Sequence, residues 1–140
     1  MMLAIAAGGV YFALVFLAGF VLGTLRTLVL VPSLGEMAAV AVEIPAMLAI
    51  AWVVCGFVIR RLAVSGDFRA RMAMGGVAFC LLMAAEMLLA WILFARPPAA
   101  HLANYARPEA LLGLAAQIAF GLFPLARLRA GVAERGPTSS

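Results

Sequence analysis

Hydrophobic and polar positions divide the chain into four long apolar runs separated by short polar breaks. The first run covers residues 4–31 and is interrupted only by Thr24, Arg26 and Thr27. Pro32-Ser33-Leu34-Gly35 then predicts a tight turn. The second run, 36–59, ends at Arg60-Arg61, and a polar loop follows through Ser65-Gly66-Asp67 to Arg69 and Arg71. The third, 72–95, stops at Arg96-Pro97-Pro98. A longer loop carries His101, Asn104, Tyr105, Arg107 and Pro108, and the fourth run covers 109–126. Residues 128–140 carry Gly, Pro and Ser and predict a disordered tail.

Each run is long enough to cross a bilayer, which takes roughly 20 apolar residues. In hydrocarbon every backbone amide needs an internal partner, so a spanning segment is a helix or a strand of a closed barrel. Barrel strands alternate polar and apolar residues over about 10 positions. These runs are longer and continuously apolar, so the expected fold is an all-α integral membrane four-helix bundle. It runs up-down-up-down as a single membrane domain over residues 1–140. The N-terminal run lacks a basic leader and outlasts the about 7–15 apolar residues of a signal peptide, so it is expected to stay as a helix.

Composition supports this expectation. Only 11% of residues are charged and 67% are hydrophobic, against about 25% charged in soluble domains. All ten cations are arginines. They flank the apolar runs rather than forming a face, which argues against nucleic acid and for topology signals and lipid contacts. Arg60, Arg61, Arg69, Arg71, Arg127, Arg129 and Arg135 fall on one side of a four-span chain, with Arg96 and Arg107 on the other. Both termini are therefore expected in the cytoplasm. The abundance of alanine and absence of lysine hint at a GC-rich bacterial source, hence an inner membrane. Cys55 and Cys80 lie inside apolar runs at no redox or metal spacing and read as small core residues.

Four polar side chains lie inside the runs: Arg26, Glu43, Glu86 and Gln117. At about 1.5 Å per residue, all four fall roughly 8–14 Å below the non-cytoplasmic edge. Each helix thus contributes one residue to a common layer. Arg26 shares a helical stripe with Gly19 and Gly23, Glu43 with Glu36, Ala39 and Ala46, and Glu86 with Gly75, Met83 and Ala90. Gln117 shares one with Ala110, Gly113, Gly121 and Pro124. Small residues mark the packed faces of membrane helices. The expected arrangement is an Arg26–Glu43 contact, with Glu86 and Gln117 closing the network. Two carboxylates against one cation leave Glu86 as the group expected to be held neutral.

Two readings of this layer stand side by side. It could fix helix register, as buried polar groups can, or mark a proton or substrate path. The Gly19–Gly23 pair could pack within the chain or dimerise it. Pro124 is read as the end of the fourth helix, and His101 as a solvated loop residue. No Ser/His/Asp set, CxxC, HExxH or phosphate-binding loop is present. The chain is therefore expected to be a non-enzymatic accessory or structural four-helix bundle, with no cofactor or metal. Its expected partners are the lipid bilayer and either a second copy or a larger membrane complex. The runner-up is a small oligomeric, proton-sensitive transporter or channel using the polar layer.

Residues 19–48 carry Gly23-Thr24-Leu25-Arg26, Gly35-Glu36 and Glu43-Ile44-Pro45. With Glu86 and the loop Tyr105-Ala106-Arg107-Pro108, this pattern resembles small four-helix proteobacterial inner-membrane proteins of unknown function. The resemblance implies a four-helix inner-membrane bundle and brings no activity. Small multidrug-resistance transporters carry a glutamate in their first helix and vitamin K epoxide reductase-like proteins a CxxC; both features are absent here.

Overall fold

The computed structural model of the chain describes residues 1–134. In chain order it comprises α1 (Met2–Leu25), a π-helical segment (Arg26–Leu30), α2 (Val31–Leu34), α3 (Glu36–Arg61) and α4 (Phe68–Phe94). Then come α5 (Pro98–Ala103), one 3₁₀ turn (Asn104–Ala106) and α6 (Pro108–Glu134). No strand occurs among the described residues. α1 through α2 form one continuous span, Met2–Leu34. With α3, α4 and α6 it makes four helices long and apolar enough to cross a membrane, the architecture of a multi-pass membrane protein.

The four long helices form a ring in the order α1, α3, α6, α4. α1 packs on α3 and α4, and α6 packs on the same two; α1–α6 and α3–α4 are the diagonals. The turn after α3 therefore crosses a diagonal rather than joining neighbours. That crossing is held by Arg71, which reaches back from α4 and donates from Nε to Ser65 O (3.0 Å) and from an η nitrogen to Val64 O (3.3 Å). This one side chain satisfies two carbonyls of the turn.

Helix ends follow local chemistry. α4 starts at Phe68, earlier than the apolar pattern indicates, because the Asp67 carboxylate accepts from the Ala70 amide and caps it (3.4 Å). Arg69 and Arg71 thus belong to the helix and not to the loop. α3 and α4 end on left-handed alanines, Ala63 and Ala95, both at φ +48°. After Ala63 the Val64 amide closes back onto Ile59 O, the bonding of a Schellman end; after Ala95 the Arg96 amide reaches one residue further back, to Ala90 O. The expected four-residue turn at Pro32 is a single residue, Gly35, at φ +82°. Pro32 lies inside α2. Its ring crowds the carbonyl four residues back, and the π-helical widening of Arg26–Leu30 directly precedes it.

The fourth helix departs furthest from expectation. It does not stop at 126 but continues to Glu134, so residues 128–134 are helical. The disorder expected of 135–140, and Arg135, lie outside the described residues. Pro124 sits inside this helix, fully buried, rather than ending it. A helical proline leaves the carbonyl four residues earlier without a donor; here that carbonyl is Phe120 O. The Tyr11 hydroxyl donates to it at 3.0 Å from across the ring diagonal. The missing bond is replaced, and the helix runs on.

Candidate functional site

The bundle has a closed half and an open half. The closed half lies towards the Leu62–Asp67 turn and holds most of the core: Ala7, Tyr11, Cys55, Val58, Met74 and Ala78 are all buried. Glycine sets the spacing. A Cβ on Gly75 would overlap the Gly121 carbonyl, and one on Gly8 would lie 2.6 Å from Met74 O. Backbones touch there, and Tyr11 fills what remains, stacking on Phe120 at 4.4 Å between ring centroids. Arg127 seals the edge. It donates to Trp52 O (2.7 Å), lies 4.1 Å over the Trp52 ring and packs against Gly56.

Towards Gly35 the helices diverge around a cavity of about 650 Å³. Its floor is Val15, Ala51, Leu82 and Phe120, the top of the closed core. Glycines widen it: Gly113 lines the wall, and a Cβ there would meet nothing within 4 Å. All four polar residues of the expected layer, Arg26, Glu43, Glu86 and Gln117, line this one cavity.

They do so as two pairs on opposite walls. On the α1–α3 seam, Arg26 Nε lies 2.5 Å from Glu43 Oε2. The contact brings charges together without the alignment of a hydrogen bond. Arg26 opens the π-helical segment, whose neighbours Thr24 and Thr27 bond the carbonyls of Phe20 and Gly23. On the α4–α6 seam, Gln117 Nε2 donates to both Glu86 oxygens at 2.6 Å. The Gln117 carbonyl oxygen is buried without a partner. Among the described residues no bond or ion pair joins the two pairs, so the single connected network expected from sequence is absent. The cavity lies between them.

Gly19 and Gly23 both face α3, towards Met47 and Glu43, and so serve packing within the chain. Of the stripe assigned to Glu43, Ala39 is buried but Ala46 is exposed. The 95–107 connection forms the rim. Arg107 donates to Glu36 Oε2 at 2.7 Å and lies 3.8 Å from Glu109. The Glu36 bond favours the charged guanidinium and shifts its pKa upward. His101 is half-buried on the cavity wall, edge-on to Tyr105 at 5.6 Å, rather than solvated in a loop. Burial, then the nearby Glu86 charge, pushes the Tyr105 phenol upward.

Sequence reasoning missed Arg127 as a packing residue, the π-helical segment and the role of Tyr11. Pro32 and Pro124 were the available signals, because each removes a backbone donor that something must replace. No group of three or more His, Cys, Asp or Glu able to hold a metal occurs among the described residues. No protein family, curated protein or solved structure matches the chain.

Proposed function

We propose that this multi-pass membrane protein is a small carrier whose open half is a chamber for a guest molecule. The carrying observation is that the polar residue from each long helix lines one cavity of about 650 Å³, within the range of small-ligand sites. A purely structural polar layer would be expected to close over its charges, because an unpaired charge in the membrane is costly. The reading assigns no bond-making chemistry: the chamber offers carboxylates, a guanidinium and an amide to bind and orient a guest. The alanine-rich, lysine-free composition supports a bacterial inner membrane, and the arginine distribution supports both termini in the cytoplasm with the chamber facing the periplasm. A Ser65→Cys thiol is then labelled from the cytoplasmic side alone.

A second reading, a non-enzymatic accessory bundle acting through lipid, a second copy or a larger complex, is favoured by the closed Arg26–Glu43 contact. Native mass spectrometry of the protein released from its own membrane separates the two. The chamber reading expects a small bound molecule that is lost in Gly113→Trp, which fills the cavity. It is expected to persist in Gly76→Trp, at an exposed glycine with open space. Wild-type protein carrying no such molecule would favour the accessory reading.

A further inference from the structure

Not all polar groups around the chamber are matched. The carboxylates Glu36, Glu43, Glu86 and Glu109 outnumber the guanidinia of Arg26 and Arg107. Arg26 is taken by Glu43, and Arg107 by Glu36 and Glu109. Among the described residues no cation lies within ion-pair distance of Glu86; its partner is the neutral Gln117 amide. The other unsatisfied atom beside it, Gln117 Oε1, is also an acceptor. This wall presents a carboxylate without a cation and an acceptor without a donor. Aromatic rings complete the surroundings: Phe16, Phe20, Phe120 and Tyr105 line the same cavity, and ring faces attract cations.

The seams of the open half are tied unevenly. In the open half three of the four seams are tied by polar contacts: α1–α3 by Arg26–Glu43, α4–α6 by Glu86–Gln117, and α3–α6 through Glu36–Arg107. Among the described residues no hydrogen bond or ion pair crosses the α1–α4 seam. Leu28, Leu93 and Phe94 belong to the cavity wall and are also well exposed, at 72%, 58% and 71%. They make an apolar edge in a segment long and apolar enough to face lipid.

We propose that the chamber takes a lipophilic cation from the bilayer through the α1–α4 seam, with Glu86 as its counter-charge. This rests on the chamber reading and adds the class of guest. The test uses protein in lipid nanodiscs and two probes of the same shape and opposite charge, tetraphenylphosphonium and tetraphenylborate, with tetramethylammonium as the hydrophilic cation. Empty nanodiscs correct for partitioning. Tetraphenylphosphonium is expected to bind saturably, at least tenfold more weakly in Glu86→Gln, and not at all in Gly113→Trp. The other two probes are expected to show no binding that Gly113→Trp removes. If tetraphenylborate or tetramethylammonium binds as well as tetraphenylphosphonium and Gly113→Trp abolishes it, the cation assignment is overturned while the chamber stands. Binding that ignores Glu86→Gln overturns it too. If no probe binds in a way that Gly113→Trp removes, the proposal fails, and the native mass measurement alone decides the chamber. Should Glu86→Gln not fold, the wild-type protein answers: tetraphenylphosphonium must slow modification of Glu86 by dicyclohexylcarbodiimide. An unchanged rate contradicts the proposal.

Discussion

The two halves of this bundle use the same four helices and similar apolar residues, yet one is packed shut and the other encloses a cavity. The difference lies in what glycine faces. In the closed half Gly8 and Gly75 meet a neighbouring backbone, so the helices touch there. In the open half Gly113 faces empty space and Gly23 faces only the tip of Glu43. A small residue brings helices together where backbone comes to meet it, and makes room where polar side chains hold the helices apart. Stability is therefore expected to reside in one half and ligand handling in the other.

The largest effect should come from breaking the close approach. Gly75→Val forces a side chain into the Gly121 carbonyl; overpacking costs about 1–3 kcal/mol or more, enough to lose most folded protein in detergent melts. Gly113→Leu, its counterpart in the open half, should leave the melting temperature nearly unchanged. Equal losses would erase the distinction between the halves.

Next in size is the diagonal bond. Tyr11→Phe leaves Phe120 O buried without the donor that Pro124 lacks, a cost of about 1–3 kcal/mol for an unsatisfied buried group. In a Pro124→Ala background the backbone amide is restored, and the same Tyr11→Phe change should cost clearly less. Additive losses in the double-mutant cycle would show that the proline and the tyrosine are unrelated.

Smaller still is the pair on the chamber wall. A double-mutant cycle over Arg26→Leu and Glu43→Leu should give a coupling of about 0.6 kcal/mol, the average for polar contacts in membrane bundles. The pair is partly exposed to the cavity, with side chains 28% and 16% accessible. A coupling of several kcal/mol would mean the pair is buried dry, as the accessory reading requires. A change of similar size, in the opposite direction, is expected at a helix end. Ala95→Gly relieves a left-handed alanine and should raise stability by about 0.5–1 kcal/mol in chemical denaturation, because glycine adopts that conformation without steric cost.

The four spans were legible because uninterrupted hydrophobicity is enough to specify them. So was the choice of Arg26, Glu43, Glu86 and Gln117, since a charged or amide side chain within an apolar run stands out at any helical phase. Their pairing was half legible. Arg26 and Glu43 sit on consecutive antiparallel helices, and the hairpin alone brings them together. That two pairs would stand on opposite walls depended on the ring order, and the diagonal crossing after α3 leaves no mark in hydrophobicity. The continuation of α6 past Pro124 was hidden for a related reason. A proline reads as a stop unless the replacement donor is visible, and Tyr11 lies 109 residues away in sequence. His101 was misjudged because a loop position says nothing about what the loop folds over.

The central claim is that water or a guest reaches the polar residues of the open half while the closed half stays dry. Cysteine accessibility tests it most directly. In protein lacking Cys55 and Cys80 and reconstituted in bilayers, single cysteines at Ala116, on the cavity wall, and at Ala78, fully buried in the closed half, are exposed to a small water-soluble thiol reagent. The account predicts rapid modification at Ala116→Cys, blocked by Gly113→Trp, and none at Ala78→Cys. Equal protection of both positions in folded protein would contradict it.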